Sequence, residues 1–390
     1  MMPDALDVRE SFRRFPDCTQ HFWTWFTGKA LPAQEPLIRH SWLSYLLLTL
    51  AAFFGGLLLG AAAVVCRFQL FWLALLAGWV LTLWAARTMI LVIAHQCIHR
   101  RFSGSVKLDW SIGELVTVLN VYQDIGTFTA EHVRSHHSQA SFGRAEDPPV
   151  QSLVGLGFRP GMTTRQLWLR AFLVFASPSF YFRGFADRLR SNLSAGTVWR
   201  RAGFLAWAAL WLSLPIWLDR GWDVLLLVFV IPVVMLSQLS ALLDRLGEHA
   251  WLTPRDPRHG ARYYHASATW ARFCGSAVPA WSWSWRAAVQ WLGWGGAMLC
   301  YHLPVRLLVV VGDLPNHDFH HRYPATPDWM IAAYARQRDI DCGMRGGPPY
   351  DEIWGLGRAI HRMFEGLSRA PAMPQPDVQS GRMLHASVDR

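Results

Sequence analysis

Charge is scarce in this 390-residue chain: Asp, Glu, Lys and Arg make up 16% of it. So low a charge, with the apolar content described below, excludes a disordered chain and fits a soluble globule poorly. Lysine is almost missing. Lys29 and Lys107 are the only two, so arginine carries the basic balance. That usage reads as coding bias and supports no functional inference. The six cysteines, Cys18, Cys66, Cys97, Cys274, Cys300 and Cys342, form no CxxC pair. Neither a disulfide framework nor a thiolate metal site is expected. The net charge of +10 comes without any RNP, zinc-finger or basic-zipper pattern, which argues against nucleic acid as a partner. The N-terminal segment 1–40 reads without a secretory leader, because Arg13-Arg14 precede no short apolar core with a cleavage site.

Apolar residues are abundant instead, at 52%, and tryptophan reaches 22 residues. Trp concentrates where one edge of the ring is dry and the other wet, as at a bilayer interface. Four apolar stretches stand out. Trp42 to Cys66, Ala202 to Leu218 and Val224 to Leu243 are uncharged, and Phe68 to Ala94 holds only Arg87. About 20 helical residues cross a hydrocarbon core of about 30 Å, so the first, second and fourth stretches are long enough. The third is short, but Trp207, Trp211 and Trp217 border an interface.

Arg67 alone separates the first two stretches, and 219–223 the second two. Such links predict two hairpins, about 42–94 and 202–243, opening to one side. Arg13, Arg14, Lys29 and Arg39 precede the first hairpin; Arg100, Arg101, Lys107, Arg188, Arg190, Arg200 and Arg201 lie between the two. The positive-inside rule puts that side, with both termini, in the cytoplasm, as in a bacterial inner membrane. Trp110 to Phe128, Leu167 to Phe185 and the Trp281 to Trp294 run mix apolar clusters with charge and are expected in the interface. Tyr301 to Leu314 is too short to cross unaided. The expected organisation is a cytoplasmic segment over 1–40, one membrane domain over 41–367 and a loose tail over 368–390.

The chemistry lies in histidine, 16 residues in all. His95 and His99 form HxxxH. His132, His136 and His137 form HxxxHH, and His317, His320 and His321 form HxxHH. A lone HxxxH arises by chance about 0.6 times in such a chain, so the signal is the set. On a helix, residues i and i+3 or i+4 share a face. His95 with His99, His132 with His136, and His317 with His320 are therefore expected to reach one point each. His137 and His321, turned further round, are expected to reach a second. Eight inward imidazoles exceed the ligand set of one metal and suit two metals with open positions. His249, in Gly247-Glu248-His249, follows the fourth stretch and joins as a ninth ligand candidate. His21, His40, His259, His265, His302, His361 and His385 have no partner at ligand spacing and read as surface, interface or supporting residues.

Carboxylates commonly accept from the outer N–H of a ligating imidazole. Glu131, Glu248, Asp313 and Asp318 are candidates for that role; Asp147 reads more readily as a solvated charge. Arg87, eight residues before His95 and on a similar face, is a candidate clamp for a substrate head group, because an intramembrane charge is a functional candidate by default.

The set His95/His99, His132/His136/His137 and His317/His320/His321 resembles the three histidine boxes of the membrane fatty acid desaturase and hydroxylase superfamily. Glu248-His249 is similar to the extra histidine motif of the alkane hydroxylases in that group. The resemblance implies an all-α integral membrane protein, here with about four transmembrane helices as two hairpins and a cytoplasmic helical cap over a di-metal site. It makes 41–367 a single di-iron catalytic domain. It implies two non-haem iron ions bound by the boxes and O2 as co-substrate. It also implies an external electron donor of ferredoxin, rubredoxin or cytochrome type; no HPGG motif of a fused cytochrome b5 is present. The expected reaction is O2-dependent dehydrogenation of the alkyl chain of a fatty acid or acyl lipid. Hydroxylation and oxidative decarboxylation to a terminal alkene are the alternatives within the class. A membrane zinc hydrolase would carry HExxH, which is absent, and the histidines of a metal transporter would line the spans rather than flank them.

Overall fold

The computed structural model describes residues 7–66, 69–194, 196–253 and 258–371. The protein is mostly helical. Among the described residues its one sheet is a parallel pair, Ala271–Phe273 with Glu352–Trp354. Three described helices are long and apolar enough to cross a membrane: Trp42–Cys66, Phe71–Ile98 and Gly221–Arg245. They match the first and fourth apolar stretches and the second from Phe71 onward.

The expected third span lies in helix Val198–Trp217, whose start is capped by the Thr197 side chain. Arg200 and Arg201 in its first turn, and Trp199, Trp207, Trp211 and Trp217 along it, keep it less apolar than the other three. The link at Arg67 and the tail from 372 onward lie outside the described residues. The start of the expected tail is ordered, since helix Leu356–Arg369 runs through it.

Glycine sets the packing of the first two apolar helices. A Cβ on Gly78 would lie 2.8 Å from the Gly56 carbonyl oxygen, and one on Gly56 would lie 2.5 Å from Thr82 Oγ1. Small residues let helix backbones touch, as is common between helices in lipid. The outer faces of the apolar helices are apolar: Leu47 and Leu58 on Trp42–Cys66, and Leu212, Ile216 and Trp217 on Val198–Trp217, are all exposed. A belt of this kind needs a covering, which a bilayer provides. The segment before the first span is packed against the rest. Phe12 and Phe26 join the core, and Asn316 Nδ2 donates to the Gly28 carbonyl at 3.0 Å.

Among the described residues, four helical stretches widen to i→i+5 hydrogen bonding: Met89–Ala94, Ala130–His136, Leu225–Leu236 and Met298–His302. Widened turns break the i, i+4 alignment and often mark functional sites. The first runs directly into His95, and the second contains His132 and His136.

Candidate metal centre

Nine histidines, scattered from residue 95 to residue 321, gather in two clusters. His95, His99, His132, His137 and His320 form one, and His136, His249, His317 and His321 the other. Within each cluster the candidate ligand nitrogens all lie within 4.8 Å of one another. The clusters adjoin. The His137 and His321 rings stack at 4.5 Å with an interplanar angle of 11°.

The structure brings together every histidine that the sequence singles out, but it distributes them differently. His132 pairs with His137, their Nε2 atoms 3.0 Å apart, while His136 turns to the other cluster. The reason is the widened turn over Ala130–His136, where the His137 N–H donates to the His132 carbonyl, i to i+5, at 2.9 Å. In helix His317–Arg322 the pair is His317 with His321, at 3.1 Å, and His320 crosses to the first cluster. The sequence expectation paired His317 with His320; the regular turn instead brings the i+4 residue, His321, to His317. His95 and His99 share a cluster as expected.

The first cluster has a closed ring of contacts. Nε2 of His95 lies 2.9 Å from that of His132 and 3.1 Å from that of His320. His137 closes the ring, 3.0 Å from His132 and 3.1 Å from His320. A ring nitrogen carries either one hydrogen or one lone pair, so it can make one linear N–H···N bond, not two. A shared cation satisfies all four lone pairs together. A square of that edge has its centre about 2.1 Å from each corner, the length of a metal–imidazole bond. His99 Nε2 is buried beside them without a hydrogen-bond partner among the described residues. The donor set therefore fits a metal ion.

The outer nitrogens explain how the rings are aimed. His95 Nδ1 donates to the Leu91 carbonyl at 3.1 Å, leaving the Nε2 lone pair to face the cluster. His136 Nδ1 lies 3.1 Å from both oxygens of Asp147. Asp147 is fully buried and also accepts from the Gly143 N–H at 2.7 Å. This corrects the sequence expectation of a solvated charge. The available signal was Pro148-Pro149, which pins the carboxylate in a turn shortly after the second histidine box. His249 and His321 have no partner at Nδ1 among the described residues and are held by aromatic packing. Phe142 lies 5.2 and 5.1 Å from their rings, and Trp251 lies 4.8 Å from His249.

Burial, reinforced by neighbouring positive groups, pushes His99, His132, His137, His249, His317, His320 and His321 well below the ordinary imidazole range. They are held neutral, the form that ligates metal.

Of the four carboxylates expected beside the imidazoles, Glu248 approaches one, with Oε2 4.0 Å from His317 Nε2. Burial, helped by the Asp244 carboxylate and opposed by Arg272 and Arg245, raises its carboxyl to about 8. The other three bond elsewhere. Glu131 is exposed and accepts from Gln123 at 3.0 Å, since the residue before His132 points outward. Asp313 accepts from Gln96 at 3.3 Å. Asp318 is fully buried against Arg336, with Nη2 to Oδ2 at 2.9 Å, and Arg336 continues to Glu352 at 2.8 Å. That chain anchors the helix bearing His317, His320 and His321 to the strand Glu352–Trp354.

Arg87 is also placed differently from the sequence expectation. It is buried, and its Nη2 lies 3.1 Å from Asp244 Oδ2. Arg272 takes the other oxygen at 2.5 Å. The counter-charge comes from the protein, so the intramembrane arginine is accounted for without a substrate head group. Asp244 and Arg272 were missed because an ion pair across 157 positions leaves no local pattern.

The sequence matches the fatty acid desaturase family over residues 70–354, and the chain belongs to that family. A search of curated proteins found no match to it. The family and the apolar helices make it a membrane oxidoreductase of lipid chains, with histidine clusters able to hold metal.

Proposed function

We propose that this protein is an O2-dependent di-iron oxidoreductase that dehydrogenates the alkyl chain of a fatty acid or acyl lipid. One iron would be held by His95, His99, His132, His137 and His320, and the other by His136, His249, His317 and His321. The observation that carries this reading is the pair of adjoining all-imidazole clusters, five and four strong. Neutral imidazoles suit iron, whereas a catalytic zinc site takes about three protein ligands and a water. The irons would supply the O2 chemistry; the protein supplies placement and dryness.

Asp147 and the Leu91 carbonyl fix the tautomers and ring directions of His136 and His95. Phe128, Phe142 and Trp251 crowd the imidazoles and exclude water from the centre. An alkyl chain would enter from the bilayer between the apolar helices, which avoids exposing it to water.

The electron donor would be a separate acidic protein of ferredoxin, rubredoxin or cytochrome type. Arg322, Arg338 and Arg345 support this. They outnumber Asp328 and Asp339 in lining a cavity with Phe319 and Tyr323, which belong to the same short segment as His317, His320 and His321. The basic face fits a cytoplasmic centre, with both termini on that side, in a bacterial inner membrane.

The test is product analysis with the full-length protein in lipid, a chemical reductant, isotopically labelled O2, and saturated acyl substrates offered as free acid, thioester and phospholipid. An alkene lacking two hydrogens and carrying no label is the expected product. Labelled alcohol would assign hydroxylation, and a shortened terminal alkene with CO2 would assign decarboxylation. Turnover without O2, or none on any acyl chain, would overturn the reading.

A further inference from the structure

A second polar cavity, of about 300 Å³, lies where segment 275–277, Tyr301-His302 and the start of helix Leu356–Arg369 meet. Nothing in the metal centre uses it, yet its polar side chains are hydrogen-bond donors. His302 lines it and is only 6% exposed. The His302 Nδ1 accepts from the Gly275 N–H at 2.9 Å. A backbone N–H can only donate, so Nδ1 holds the lone pair and the ring hydrogen sits on Nε2. Burial pushes the imidazole down to about 4, so it is neutral at ordinary pH. Its Nε2–H has no partner among the described residues.

Tyr301 repeats the pattern. Its Oη accepts from the Gly357 N–H at 2.7 Å, which leaves the phenolic hydrogen free to donate. Helix Leu356–Arg369 begins here at Gly355, which has no side chain to cap it, so apart from the Gly357 N–H taken by Tyr301 its positive end lies at the cavity. Arg358, in the first turn, is exposed and has no ion pair among the described residues. The nearby acids are already engaged. Asp351 pairs with Arg362, and Glu352 pairs with Lys29 and Arg336. Among the described residues, no carboxylate lines the cavity.

We propose that this cavity binds a phosphate group, held by His302, Tyr301, Arg358 and the helix start. Its surroundings favour the headgroup of a membrane lipid as the source. Trp294 Nε1 donates to the Ser276 carbonyl at 3.0 Å, joining the cavity wall to helix Trp285–Ala297. Trp281, Trp283 and Trp285 lead into that helix and are 69%, 94% and 73% exposed. Exposed tryptophans of this kind sit at headgroup level. The site is separate from the two imidazole clusters and does not depend on what they catalyse.

The experiment titrates the full-length, metal-loaded protein in neutral detergent with a soluble short-chain phosphatidic acid and, separately, with inorganic phosphate. The thermal midpoint is followed and metal content checked in parallel. A saturable rise is expected, with affinity weakened about tenfold in Arg358→Gln, the loss of one charge-assisted hydrogen bond. Arg358 is exposed, so this variant should fold and keep its metal. His302→Phe should weaken binding similarly. Tighter binding of the lipid than of inorganic phosphate assigns a headgroup; equal binding assigns free phosphate. No saturable rise with either probe, or unchanged affinity in a folded Arg358→Gln protein, would overturn the proposal.

Discussion

His132 and His137 stand five residues apart, yet their Nε2 atoms meet at 3.0 Å, while His136 faces a different cluster. The widened turn over Ala130–His136 makes this possible, so one short helix feeds both halves of the centre.

The split predicts a pattern of coupling. His136→Ala and His321→Ala strike one cluster, so the double variant should lose little more metal affinity than either single. His136→Ala with His137→Ala strikes both, and the losses should add. Metal retained per chain against a graded chelator measures this. Additive losses for the first pair would place those residues in separate sites.

Asp147 should matter as much as a ligand's neighbour usually does. Asp147→Asn leaves His136 without an ionised acceptor at Nδ1 and should weaken metal binding in its cluster about 10–100-fold. A solvated carboxylate would give no change. Metal titration of the depleted protein distinguishes the two.

Arg87, Asp244 and Arg272 form a buried triad in which one carboxylate serves two guanidinium groups. Asp244→Asn strands both cations and should destabilise the protein by about 3–5 kcal/mol. Arg87→Leu leaves the Arg272 pair intact and should cost less, about 1–3 kcal/mol. Thermal unfolding in detergent reads the order. An unchanged preference between free acid and ester in Arg87→Leu would further separate Arg87 from substrate recognition.

Acid should unfold the metal-depleted protein. Burial holds seven of the clustered imidazoles below their ordinary value in the folded chain. Unfolded, they titrate near pH 6.5. Above that pH both states are neutral and the stability is fully present. Below it the unfolded chain binds more protons, so stability falls as pH drops towards the folded values. The slope approaches about 1.4 kcal/mol per pH unit for each imidazole. Midpoints recorded at neutral and acid pH check this; a flat profile would contradict it.

Much of this was legible in residue order. Long runs with one charge or none exposed the helices Trp42–Cys66, Phe71–Ile98 and Gly221–Arg245, because bilayer thickness sets helix length. Spacing exposed eight of the nine clustered histidines, and position after an apolar stretch exposed His249. What spacing could not show was which imidazoles pair, because the i→i+5 turn before His137 depends on tertiary packing. Nor could it show the partners of Arg87 or Asp318, since Asp244 and Arg336 arrive from distant parts of the chain. Helix Val198–Trp217 stayed ambiguous because tryptophan is intermediate in hydropathy but at home in the interface.

The most direct test of the two-cluster centre is metal stoichiometry. The full-length protein, loaded anaerobically with ferrous iron and desalted, should retain two irons per chain by elemental analysis. His136→Ala and His137→Ala should each retain about one. One iron or none in the unaltered chain, or two in both variants, would contradict it.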